Sequence, residues 1–171
     1  AQELLAAAGV TLDRAGGGDT AAILAGLTEW LAGKSPELIQ FNAGLHDARF
    51  FRYSQAYQRP VNSYQAHLRG IVKWLRANTR AKLLWASTTP VLTERMLGDF
   101  VRFAEDITRY NAVAESIMAE AGIPINDLYA AIRADSPAED LLPDGVHMTE
   151  RGNRVLAEAV ARGIRAQLGI G

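Results

Sequence analysis

The chain has 171 residues, no cysteine, and 18 basic against 19 acidic side chains for a net charge of -1. Without cysteine, disulfides, thiolate catalysis and cysteine zinc sites are excluded, and the interspersed charge leaves no basic stripe to neutralise a nucleic-acid backbone. No apolar run approaches the roughly 18 to 20 residues of a membrane helix, so neither nucleic acid nor a membrane span is expected, and residues 1–171 fit one domain able to bury a core.

In chain order, Gln2 to Ala8 reads as a helix ended by Gly9, and Val10-Thr11-Leu12 as a short strand before the break Gly16-Gly17-Gly18-Asp19-Thr20. Ile23, Leu24, Leu27, Trp30 and Leu31 recur at three- and four-residue steps, which predicts a helix over 21–32 closed by Gly33. Leu38 to Phe41 reads as a strand, followed by the loop Asn42 to Asp47 and an irregular excursion from Arg49 to Asn62. A helix over 63–78 and a strand over 82–88, stopped by Pro90, come next. The pattern then predicts a helix over 100–121 ended by Gly122, a strand over 123–128, a long loop from Tyr129 to His147, and a closing helix over 149–168. Trp30, Trp74 and Trp85 are expected in the core.

Strands alternating with helices of this length imply βαβ units and a parallel sheet covered on both faces. In such sheets ligands bind beyond the carboxyl ends of the strands. The loops at 16–20, 42–47, 88–91 and 129–147 carry the polar candidates to that rim. Among them, Asp144-Gly145-Val146-His147 puts a carboxylate and an imidazole three residues apart, a spacing that suits a carboxylate orienting a catalytic base. Taken alone the pair also reads as a helix cap beside a packed histidine, and the glycine run as a plain turn. His67 reads as a surface or boundary residue. The aromatics Phe50, Phe51, Tyr53 and Tyr57 read either as a cleft lining or as cover for a sheet edge. No side-chain cluster has metal spacing, and neither metal nor cofactor is expected.

Together, Gly-Gly-Asp-Thr at 17–20, Asn-x-Gly-Leu-His-Asp at 42–47 and Asp-Gly-Val-His at 144–147 resemble the SGNH (GDSL) hydrolases, in order and spacing over nearly the whole chain. The resemblance implies an α/β fold, a three-layer α/β/α sandwich with a flavodoxin-like parallel sheet, and hydrolysis of esters by a serine nucleophile. It makes His147 the general base and Asp144 its orienting carboxylate. It makes the Gly18 N–H one oxyanion donor, at a residue whose bare backbone can approach a substrate. The second donor falls on Asn42 or on His46. The family's Gly-x-Asn-Asp aligns its asparagine with His46, whereas Asn42 stands at the strand end and donates in any tautomer. Asn42 is favoured, and His46 then lines the pocket or braces the loop.

The nucleophile is the departure. The serines are Ser35, Ser54, Ser63, Ser87, Ser116 and Ser136, and none has the family's strand-then-turn setting, Ser87 coming nearest. The expectation is therefore that the central first strand and its serine lie upstream of Ala1. A sheet of order 2-1-3-4-5 without its first strand leaves two neighbours short of backbone partners, each buried unpaired group costing roughly 1 to 3 kcal/mol. The expected function is an esterase or acetylesterase acting through Ser-His-Asp on a small-molecule or carbohydrate ester. A nucleophile-less binding or interaction module is the alternative. Localisation and oligomeric state are not encoded in these features.

Overall fold

A computed structural model describes residues 1–135 and 137–170, so that Ser136 and Gly171 lie outside the described residues. The elements are α1 (Gln2–Ala6), α2 (Thr20–Trp30), β1 (Leu38–Phe41), β2 (Phe50–Phe51), β3 (Ala56–Tyr57), α3 (Val61–Asn78), β4 (Lys82–Ala86), β5 (Phe100–Val101), α4 (Ala104–Ala121), β6 (Ile125–Asn126), α5 (Leu128–Asp135), α6 (Ala138–Leu141) and α7 (Glu150–Leu168). A 3-10 turn at Thr93–Arg95 stands between β4 and β5.

β1, β4 and β6 form a parallel sheet in the order β1-β4-β6, with Leu38 opposite Lys82 and Trp85 opposite Ile125. On one face α2 packs on α3 and α3 on α4; on the other, α7 lies across all three strands and touches α1 and α5. This is the three-layer α/β/α arrangement. The sheet is held by apolar side chains from both layers, with Trp85, Tyr64, Leu68, Ile107 and Met118 fully buried between α3, α4 and β4. At about 25 cal/mol per Å², each such side chain contributes roughly 1.5 to 3 kcal/mol of burial. Of the tryptophans only Trp85 is fully buried; Trp30 and Trp74 are half-buried, and Trp30 covers the glycine run instead.

Several expectations are corrected. Residues 10–12 are not a strand: Val10 and Leu12 pack with Leu38 around Leu5, Ala161 and Ile164, and among the described residues they have no strand partner. An extended segment becomes a strand only beside another backbone, and local sequence does not supply one. The excursion is ordered as a second sheet, antiparallel and in the order β3-β2-β5, with Phe50 opposite Tyr57 and Val101. Its strands arise from loops that leave the carboxyl ends of β1 and β4, so it sits on the rim. Phe100–Val101 consequently belongs to a strand rather than to the following helix, which begins at Ala104. The stretch 129–147 contains two helices, α5 and α6, rather than an uninterrupted loop.

Among the described residues β1 has a single hydrogen-bonded neighbour strand, β4, and its four residues are half-buried. An apolar edge without proline, lysine or a bulge is a template for a further strand.

Candidate active site

The turn before α7 is built so that one carboxylate gathers three N–H groups. Thr149 caps α7, accepting from Gly152 N at 3.3 Å. Upstream, Asp144 Oδ1 accepts from His147 N at 2.7 Å and Val146 N at 2.9 Å, and Oδ2 lies 2.6 Å from His147 Nδ1. The hydrogen bond from the His147 ring, joined by the two backbone N–H groups, holds the Asp144 carboxyl well below its usual range. An ionised carboxylate only accepts, so Nδ1 carries the hydrogen and the neutral ring keeps Nε2 free to take a proton. Both side chains are open to solvent, 85% for His147 and 56% for Asp144. The turn closes at Gly145, whose φ of +86° suits glycine and whose oxygen accepts from Leu92 N at 2.9 Å. Any Cβ there would collide with the Leu92 carbonyl oxygen.

The glycine loop is shaped from the opposite side. Gly16 lies against the Trp30 ring, so close that a side chain would not fit. Gly18 has φ +101°, and its N–H has no hydrogen-bond partner among the described residues. Asp19 then caps α2, accepting from Ala22 N at 3.0 Å through Oδ1, while Oδ2 accepts from Gln58 Nε2 at 2.7 Å and Arg59 Nε at 3.0 Å. Burial raises the Asp19 carboxyl, but Gln58, the Ala22 N–H and Arg59 more than offset this and leave it below its ordinary value. Thr20, the first residue of α2, gives Asp47 its N–H at 3.0 Å and its hydroxyl at 2.5 Å. Asp47 is fully buried, and that burial, aided by the Asp19 charge, pushes its carboxyl up against the opposing pull of Thr20. The Thr20–Asp47 contact locks the glycine loop to the loop after β1.

In that second loop Asn42 is exposed and anchored by Nδ2 to the Ala86 oxygen at 2.7 Å, at the end of β4. His46 is half-buried; burial, then Arg49 and Arg102, hold its imidazole below the ordinary 6.5 against the counter-pull of Asp19. From here a bonded path crosses the rim. Arg102 Nε donates to Leu45 O at 2.5 Å, Thr93 Oγ1 donates to Arg102 O at 3.0 Å, and Leu92 N reaches Gly145 O.

Of the expected site residues, then, Asp144 and His147 are in direct contact, and Gly18, Asn42 and His46 stand on two loops that Thr20 and Asp47 join. No hydrogen bond or ion pair among the described residues links His147 to Gly18, Asn42 or His46. Sequence reading passed over Asp19, Asp47, Arg49 and Arg102. Asp19 and Asp47 stand inside the quoted motif blocks, and their pairing with Thr20, Gln58 and Arg59 is legible only in space. Ser87 is structural: it is buried, its hydroxyl donates to Asp127 Oδ1 at 2.9 Å and accepts from Tyr129 N at 2.9 Å. Ser35, Ser54, Ser63 and Ser116 make no hydrogen bond with His147, and Ser136 lies outside the described residues. Phe50 meets Tyr57 edge-on and Phe103 at a tilt, and Phe51 meets Phe100 edge-on, which makes them the packing of the rim sheet, whereas Tyr53 is fully exposed.

Residues 1–155 match the model of the GDSL-like lipase/acylhydrolase family. Among solved structures, a lipase/acylhydrolase from Enterococcus faecalis superposes with a TM-score of 0.76 at 19% identity, over 96% of this chain and 82% of that one. A GDSL-like lipase from Bacteroides thetaiotaomicron gives 0.74 at 18%, over 96% and 79%. An acetylxylan esterase from Geobacillus stearothermophilus gives 0.67 at 18%, over 85% and 67%. A serine-to-alanine variant of that esterase is described as a catalytic mutant. At these identities the likeness shows the fold. No curated protein matches the chain.

Proposed function

This chain belongs to the GDSL-like lipase/acylhydrolase family of carboxylic ester hydrolases, and we propose that it cleaves O-acyl esters of small alcohols or carbohydrates through an acyl-enzyme. His147 removes the proton of a serine hydroxyl through Nε2, and Asp144 fixes the ring and stabilises its protonated form. The Gly18 N–H holds the oxyanion together with the Asn42 amide hydrogen that Ala86 does not use. Water, activated by the same histidine, then releases the acid. The observation that carries this reading is the 2.6 Å contact of Asp144 with His147 Nδ1, which leaves Nε2 of an exposed imidazole free for proton transfer.

The serine of this reading comes from a strand laid along the open edge of β1, contributed by a segment outside residues 1–171. The one-sided pairing of β1 supports this, as does the placement of Val10 and Leu12 beside Leu38 with no strand partner among the described residues. The likeness to the acetylxylan esterase supports a carbohydrate ester as substrate.

With an aryl acetate as substrate, His147→Ala is expected to lower kcat/KM by at least about 10³-fold and Asp144→Asn by a smaller but large factor. Full activity in the His147 variant sinks the assignment. A second reading, a binding module without a nucleophile, is favoured by one observation: no described serine is hydrogen-bonded to His147. A fluorophosphonate probe separates the two, since labelling requires an activated serine.

A further inference from the structure

Two arginines on the rim have no acidic partner among the described residues. Arg102 is 4% exposed, yet its only hydrogen bond from the side chain among the described residues is Nε to Leu45 O, and burial followed by the Arg49 charge pushes its guanidinium down to about 10. Arg49, half-buried, has Nε sealed from solvent with no acceptor, and its Nη1 makes only a long contact of 3.4 Å to Gln58 Oε1. Both guanidiniums lie on the ring of Phe100, 4.8 Å away for Arg49 and 5.2 Å for Arg102. Neither forms a salt bridge with a described carboxylate. A buried guanidinium without a counter-charge is costly, and the aromatic face recovers only part of that cost. Two such groups together, both acting on His46 against the opposing charge of Asp19, place two guanidinium charges beside the loop that carries Asn42 and His46.

We propose that Arg49 and Arg102 form an anion-recognition subsite, so that the ester cleaved here carries a carboxylate or a phosphate on the part of the substrate lying next to His46. As a substrate class this rests on the esterase reading; as a binding site it does not. Arginine suits the task because its planar fork gives a carboxylate or phosphate two parallel N–H bonds. The terminal nitrogens of Arg102, which no described residue accepts from, are the groups such an anion would engage. A purely structural role, with Arg102 bracing Leu45 and stacking on Phe100, would make the pair indifferent to the charge of the ligand.

The test follows the arginine Nε–Hε signals of the protein by heteronuclear NMR during titration with glucuronate, glucose 6-phosphate and glucose. The expected result is that at least one of the two anions shifts the Arg49 and Arg102 signals while neutral glucose does not. Tighter binding of glucuronate assigns a carboxylate, tighter binding of glucose 6-phosphate a phosphate ester. Arg49→Gln, at the half-buried position, should weaken the anion by about tenfold or more; it serves where Arg102→Met, which removes the brace on Leu45, fails to fold. Absence of a shift with either anion, an equal shift with glucose, or unaltered affinity in Arg49→Gln overturns the proposal. The readout needs neither the serine nor a working base. Anion binding retained in a protein without ester turnover would therefore count against the esterase reading alone, and turnover without anion binding against the subsite alone.

Discussion

Gly145 decides whether the Asp144–His147 pair exists, although it carries no chemistry. Its positive φ lets the chain reverse within the span between the two residues, and its bare Cα lets the turn sit against Leu92. Gly145→Ala is expected to cost about 1 to 2 kcal/mol from the backbone conformation alone. The collision with the Leu92 oxygen adds to this, so a lowered denaturant midpoint should accompany a fall in kcat. A variant with both unchanged would show that the turn adapts freely. At this scale the sequence was informative where chemistry is local: Asp144, Gly145 and His147 fall within four consecutive residues, and their hydrogen bonds follow from that spacing. It was silent on Asp47, because a carboxylate buried against Thr20 shows its role only when residues 27 positions apart meet.

Among the elements, α2 shows how one side chain ties the rim together. Asp19 caps the helix and also receives Gln58 and Arg59 from the segment after β3, so the glycine loop and the rim sheet share an anchor. Asp19→Ala should cost about 1 to 3 kcal/mol, the lost cap together with two donors left without their acceptor. Hydrogen exchange should quicken in the first turn of α2 and around residues 56–59 alike; quickening confined to the helix would show that the two are not joined. The strand Leu38–Phe41 and the helix Glu150–Leu168 were legible in the sequence because each has a clear apolar pattern and clear stops. β2, β3 and β5 were not. Each is two residues long, too short to show a period, and Phe100–Val101 blends into the apolar rhythm of the helix that follows. α5 is hidden for another reason: at eight residues, between Asp127 and Pro137, it is barely two turns long, and so short a run shows little periodicity.

For the molecule as a whole, the layer order and the parallel sheet follow from the alternation of strand and helix patterns. What alternation does not give is which backbone lies beside which. Val10–Leu12 shows the limit: Val10 and Leu12 pack against α7 and Leu38, but a strand is a relation between two segments. The alternation of strands and helices put every candidate loop on one rim, and the folded chain connects loops there through Thr20, Asp47, Arg102 and Leu92. The exposed ring of His147 carries one more implication. An imidazole so open cannot select among incoming hydroxyls by excluding any of them, so an acylated intermediate would be discharged by whichever acceptor is most abundant. In water–methanol mixtures, methyl ester should accumulate at the expense of free acid in rising proportion to the alcohol, as gas chromatography would register. Constant yields of free acid would mean that something shields the base during turnover.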